Sequence, residues 1–274
     1  MPKFVDIHSH LNFPEYDADR DAVMSRMKEA GVWTITVGTN LETSRSAVAL
    51  AETSATPGGD GGIFACVGLH PADDPAATWD ETTAAQFAEL ARHPRVVAIG
   101  ECGLDYFRLE KDPALAEAQK KRQRDIFLAQ IELAIAVDKP LMIHCRDAYA
   151  DVYDILAARK REASGEKLRG NMHFYAGDLA TAARFIDLGF TVSFTGVVTF
   201  TRDYDDVIRA VPTDSLMSET DAPFVAPVPY RGTRNEPTYV PEVVAKLAEI
   251  RAVDAEEMRH TLVQNAVRTF KLGL

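Results

Sequence analysis

The chain has 274 residues, 46% of them hydrophobic and 26% charged, enough for one large domain or two small ones with a sizeable core. A net charge of −11, from 30 basic and 41 acidic side chains, argues against a protein that coats nucleic acid through a broad basic surface. It leaves room for a polyanion gripped locally beside divalent cations.

No apolar run approaches the ~20 residues that span a bilayer, and Met1-Pro2-Lys3-Phe4-Val5-Asp6 meets a carboxylate before a signal-type core can form. The three cysteines, Cys66, Cys102 and Cys145, show no framework spacing, so a cytoplasmic protein is expected. Lys3-Phe4-Val5 opens a strand that runs into Asp6-Ile7-His8-Ser9-His10. At a period of two, Asp6, His8 and His10 share a face, a pair of imidazoles for a divalent metal with a carboxylate behind to orient them. Asp17 to Ala30 reads as a helix closed by Gly31, then Val32 to Gly38 as a second strand and Leu41 to Thr53 as a second helix. The Gly-rich stretch Pro57 to Gly62 reads as a surface loop rather than a linker, because the pattern resumes unchanged after it.

Ile63 to Gly68 is a third strand, ending in Leu69-His70-Pro71, and a helix follows from Glu81 to Arg92. Val96 to Gly100, nearly all apolar, reads as a fourth strand buried on both faces and runs into Glu101-Cys102-Gly103-Leu104-Asp105-Tyr106. A long helix from Ala116 to Val137 precedes a fifth strand, Pro140 to Ile143, ending His144-Cys145-Arg146. Asp147 is placed to cap the next helix, to about Lys160. Gly170-Asn171-Met172 leads to His173 as a weaker sixth strand, with a helix from Leu179 to Leu188. Phe190 to Phe194 is a seventh strand and Leu216 to Glu219 an eighth, ending Thr220-Asp221-Ala222-Pro223; helices from Val240 to Ile250 and Ala255 to Phe270 close the chain.

About eight strands alternating with helices through short loops is the pattern of a (β/α)8 TIM-type barrel in the α/β class, read here as a single domain over residues 1–274. A doubly wound open sheet competes, but the Gly-rich nucleotide loop after its first strand is missing. His8, His10, His70, Glu101, His144, His173 and Asp221 all fall at carboxyl ends of predicted strands. A barrel brings those ends to one mouth, whereas an open sheet spreads them along an edge. Even with His70 set aside, four histidines and two carboxylates there exceed what one metal needs. Mixed imidazole and carboxylate ligation suits Zn, Mn, Fe or Ni, and also Mg, and a carboxylate such as Glu101 can bridge two ions about 3.5–4 Å apart.

The spelling of these stretches goes further. Asp6 to His10, Gly68-Leu69-His70-Pro71, Gly100 to Tyr106, Ile143-His144-Cys145-Arg146, Glu219 to Phe224 and Ala226 to Pro237 together resemble the TatD family of metal-dependent deoxyribonucleases, within the amidohydrolase superfamily. The resemblance runs from residue 6 to about residue 240. It implies a metallo-dependent hydrolase barrel that cleaves DNA phosphodiester bonds with two divalent ions (Mg, Mn or Zn), commonly from a 3′ end. Single-stranded or frayed DNA is the implied substrate, and neither a membrane nor an obligatory protein partner is expected.

Carried over by position, the resemblance makes His8, His10, Glu101 and Asp221 ligands of one ion. Glu101 would bridge to a second ion held by His144 and His173, with Asp221 also accepting a proton from the attacking water. One departure stands out. The family usually follows its ligand histidine with a small residue, Phe, Ser or Thr, then Gly, whereas this chain reads His173-Phe174-Tyr175-Ala176-Gly177.

Substrate contacts are expected from His70, Arg146, Arg231, Arg234 and Asn235, since guanidinium matches phosphate in a bidentate way. For Arg231 and Arg234 the bland alternative is a salt bridge that pins the loop. Asp6 reads as an outer partner rather than a ligand, and Cys102 and Cys145 as small buried residues facing the helices. The competing activity is amide or ester hydrolysis, such as release of an aminoacyl group from tRNA. A retired, non-catalytic scaffold is disfavoured because none of the six ligand positions is lost.

Overall fold

The computed structural model describes residues 1–55 and 62–273, so the loop expected at 57–62 lies almost wholly outside the described residues. Eight parallel strands follow one another in space in chain order: β1 Phe4–Ser9, β2 Val32–Val37, β3 Ile63–Val67, β4 Val96–Asp105, β5 Leu141–Arg146, β6 Gly170–Met172, β7 Phe190–Phe194 and β8 Leu216–Ser218. The helices are α1 Arg20–Ala30, α2 Leu41–Thr53, α3 Glu81–Ala91, α4 Pro113–Val137, α5 Tyr149–Lys160, α6 Leu179–Asp187, α7 Asp205–Ala210, α8 Val240–Arg251 and α9 Ala255–Phe270. They wrap a nearly closed barrel. Burying Ile99, Leu104 and Ile143 of the strands against Phe127 and Ile131 of α4, Leu156 of α5 and Phe185 of α6 removes large apolar surfaces from water, at roughly 1.5–3 kcal/mol per side chain before entropy is charged. A second cluster packs Val5, Ile7, Ile35 and Val37 against Val263, Ala266 and Phe270 of α9. Strand ends are thereby fixed to a rigid frame.

The sheet closes where β1 meets the residues just past β8. The His10 amide donates to the Ala222 carbonyl at 2.7 Å, and the Asp221 amide to the His8 carbonyl at 2.9 Å. Asp6 adds a side-chain clasp: its carboxylate accepts from the Thr220 amide at 2.8 Å and the Thr220 hydroxyl at 2.7 Å. Burial pushes Asp6 up to about 8, against the pull of those Thr220 bonds.

Several boundaries differ from the sequence reading. The first helix starts at Arg20, not Asp17, because a short 3-10 turn at Pro14–Tyr16 buries Tyr16 first. Asp147 does not cap α5: it takes φ 55°, and Ala148 stands at the cap position with no side-chain bond. β4 runs through Glu101 to Asp105, five residues past Gly100, and all ten of its residues are buried. Gly103 makes this possible, since at φ 136° it presses against the His144 backbone and a Cβ there would collide with the His144 carbonyl. Glu101 is therefore held inside a strand, next to β5, not on a loop. The short α7 was not read from the sequence.

Candidate metal centre

At the carboxyl end of the barrel, Glu101 sits between two groups of histidines. Its Oε2 lies 3.4 Å from His8 Nε2 and 3.8 Å from His10 Nε2. Its Oε1 lies 3.0 Å from His144 Nδ1 and 3.6 Å from both His173 Nε2 and His70 Nε2. Asp221 faces the first group, with Oδ1 3.5 Å from His10 Nε2, 3.8 Å from His8 Nε2 and 4.0 Å from His173 Nε2. Its φ of 56° places it in the left-handed region, which Asp tolerates better than most residues, and this kink turns the carboxylate into the mouth.

Each ring is aimed by what lies behind it. His10 Nδ1 meets the Val37 carbonyl at 3.0 Å, leaving Nε2 for the mouth. His173 Nδ1 meets Glu219 at 2.9 Å, and the other Glu219 oxygen accepts the Phe174 amide at 2.6 Å. His144 lies between two carboxylates, with Nε2 3.1 Å from Asp105. His70 Nδ1 lies 2.7 Å from Asp73. These outer carboxylates fix ring orientation and raise ligand basicity.

The electrostatics follow. Glu101 stays well below the usual carboxylate range: burial opposes this, but His70, His144 and His8 outweigh it. Asp221 is likewise lowered, with His10 and His173 overcoming burial. Against the same burial penalty, Asp105 and Glu101 hold His144 up at about 9, and Glu219 and Glu101 hold His173 at about 10. His8 is lowered by its own burial and by His173, whose ring stacks on it at 3.5 Å.

These donors fit a divalent cation. Among the described residues, three sets lie mutually within 4.8 Å: His8, Glu101 and His173; His8, His10 and Asp221; and His70, Glu101 and His144. His8 Nε2 and His10 Nε2 converge to 3.3 Å, while among the described residues the buried His8 Nδ1 has no hydrogen-bond partner. Two imidazole nitrogens turned toward each other and toward two ionised carboxylates are a cation's surroundings.

All seven residues read from strand ends therefore meet. His70 joins His144 and His173 around Glu101 Oε1, and His173 also stacks on His8 and reaches Asp221. Among the described residues Asp6, expected to orient the imidazoles, bonds to neither ring and instead clasps Thr220, just past β8. Arg146 lies at the mouth, its guanidinium 3.5 Å from the centre of the Phe107 ring, and Arg231 lies 3.8 Å from that of Phe200.

Arg234 and Asn235 are not turned to the mouth. Arg234 makes a bidentate pair with Asp19 at 2.8 and 2.7 Å, and the Asn235 amide donates to the Thr220 and Phe224 carbonyls while its own oxygen accepts from Glu236. Their groups are spent on pinning the loop after β8. The Phe174-Tyr175-Ala176 departure is absorbed locally: Tyr175 is buried, and the Tyr149 hydroxyl accepts the Ala176 amide at 2.9 Å. Glu219 and Asp73 were given no role from the sequence. For Glu219 the signal was its place two residues before Asp221, and for Asp73 its place three after His70.

A parallel barrel with histidines and acids gathered at the carboxyl ends of its strands defines a metal-dependent hydrolase. The family model described as TatD related DNase matches residues 5–271. The chain belongs to that family. It is 38% identical over 271 residues to an uncharacterized metal-dependent hydrolase, YabD, of Bacillus subtilis, covering 98% of this chain and 99% of that one. It is 33% identical to a protein of Musicola paradisiaca named 3′-5′ ssDNA/RNA exonuclease TatD, covering 98% of each. Among solved structures, the TatD homologue YJJV of Escherichia coli superposes with a TM-score of 0.85 at 30% identity, covering 98% of each chain.

Proposed function

We propose that this chain is a two-metal phosphodiesterase that trims DNA from a 3′ end, acting in the cytoplasm on single-stranded or frayed termini. The observation that carries the reading is Glu101, whose two oxygens face separate histidine groups and so suit a carboxylate bridging two ions. His8, His10 and Asp221 would hold one ion with Glu101, and His144 and His173 the other. Bound divalent ions supply the charge that acidifies water and offsets the negative phosphoryl oxygens.

The chain's own groups do the rest. Asp221, held ionised among histidines, takes the proton from the attacking water. Glu219 and Asp105 keep His173 and His144 in place. His70, fixed by Asp73, faces the scissile phosphate, and Arg146 and Arg231 meet phosphates at the rim. The name of the Musicola relative supports both the polarity and the single-stranded substrate.

The test is end-labelled single-stranded DNA with Mg, Mn and Zn added separately to chelated protein. Stepwise shortening from the 3′ end, absent in Glu101→Ala, is expected. Intact DNA with every metal, alongside turnover of an aminoacyl or other ester, would move the activity to a carbonyl substrate.

A further inference from the structure

Three large aromatic side chains stand out among the described residues as exposed: Phe107, Phe200 and Phe224, at 57%, 43% and 48% of their surface. All three follow carboxyl ends of strands, after β4, β7 and β8, so they share the face that holds the metal centre. Exposed phenylalanines scattered singly need no explanation, but three gathered round one mouth mark a binding surface.

Two of these rings carry a cation. Arg146 lies over Phe107 and Arg231 over Phe200. Among the described residues neither guanidinium has a carboxylate within 4.0 Å, whereas Arg234 on the same loop as Arg231 is locked to Asp19.

The first pair is tied to the centre, and the second lies where two loops are joined. The Phe107 amide donates to Asp105 at 2.9 Å, and the other Asp105 oxygen holds His144. On the opposite side, Thr199, beside Phe200, accepts the Val228 amide at 2.9 Å and so joins the loops after β7 and β8. Phe224 stands edge-on to His10, ring centres 6.1 Å apart.

We propose that Phe107 with Arg146 and Phe200 with Arg231 are two nucleotide-holding pairs that grip an unpaired strand of nucleic acid on either side of the metal centre. The proposal rests on the phosphodiesterase reading and names how its substrate is held. An aromatic ring offers a face on which any base can stack, and a guanidinium beside it offers donors to the adjoining phosphate. Bases in a duplex already stack on each other and have no free face to give. With a net charge of −11 the rest of the surface repels a polyanion, so the grip has to be local and made from few cations.

The test is fluorescence anisotropy of the metal-loaded protein with phosphorothioate hexathymidylate, which resists cleavage, and with an abasic chain of the same length. The wild type is expected to bind the thymidylate about tenfold more tightly than the abasic chain. Phe107→Leu with Phe200→Leu keeps apolar bulk but removes both π faces, and should erase that preference; Tyr at both positions should restore it. Arg146→Gln and Arg231→Gln should weaken both chains alike, each flattening the salt dependence by about 0.7 in log–log slope. Equal affinity of the wild type for both chains, or a preference that survives the double Leu variant, would overturn the proposal. Cleavage of ordinary single-stranded DNA is read in parallel. Base-dependent binding without cleavage supports the two pairs and sinks the phosphodiesterase reading, whereas cleavage without base preference sinks the pairs alone.

Discussion

The two sides of the metal centre are built by different means. On the β1–β8 side, ligands are placed by backbone: the His10 and Asp221 amides donate hydrogen bonds to the Ala222 and His8 carbonyls, and a main-chain carbonyl aims the His10 ring. On the β4–β6 side they are placed by charge, since Asp105 and Glu219 hold His144 and His173. Backbone placement survives most substitutions. Placement by carboxylates is open to single mutations and carries protons with it. The two sides should therefore respond differently to the same perturbation.

The largest expected effect is the one that erases the difference. Glu101→Ala removes the carboxylate both sides share, and should lower kcat/KM by at least about 10³-fold, as when one member of a group that acts as a unit is lost. Binding of either ion should weaken, as read by calorimetric titration. A variant that keeps one ion at full affinity would show that the carboxylate does not bridge. Next, Asp105→Asn and Glu219→Gln should cost about 10–100-fold in metal affinity or activity, concentrated on one ion. Equal weakening of both ions would break the comparison.

Protons sharpen it further. With His144 at about 9 and His173 at about 10, an ion binding to either ring near neutral pH must displace a proton; on the other side His10 is also raised, Asp221 and Glu101 outweighing its burial, while the lowered His8 has none to give. Affinity on the His144 and His173 side should rise with pH, with proton release visible as a buffer-dependent heat. The linkage to stability has a definite sign. Both histidines are raised above their ordinary 6.5, so their contribution to the metal-free fold is complete below that value and fades as pH climbs through about 9 and about 10. Thermal melts of chelated protein across this range would detect it, and a flat profile would count against the charge-held arrangement.

The smallest effects concern stability away from the ions. Asp6→Ala strips buried acceptors from the Thr220 amide and hydroxyl, at about 1–3 kcal/mol for each donor left unpaired. Arg234→Ala breaks a partly exposed pair with Asp19 and should cost no more than about 1 kcal/mol. Denaturant midpoints separate the two, and a reversed order would mean that the loop pair, not the clasp, carries the closure.

Much of this was legible beforehand because a parallel barrel writes its chemistry at strand ends, where apolar runs stop and histidines or acids begin. His70, Glu101 and His144 each follow such a run. β4 was harder: two glycines around Glu101 look like a loop, and only the neighbouring strands reveal that they allow close approach within one. Arg234 and Asn235 were misjudged for the opposite reason. Their residue types suit phosphate, but Asp19 and Tyr16 lie more than 200 residues away in sequence, beyond any local pattern. The pairing of His70 with His144 depends on ring placement, which spacing does not encode.

The amides of His10 and Asp221 belong both to the last rungs that close the barrel and to residues that face the candidate metal site. Their exchange with deuterated solvent would therefore report two events through one pair of hydrogens. Slow exchange at these amides means a shut cylinder, and further slowing on adding metal would measure, residue by residue, how far the ions tighten it. A chain that had lost its metals would register the loss first in its own closing rungs.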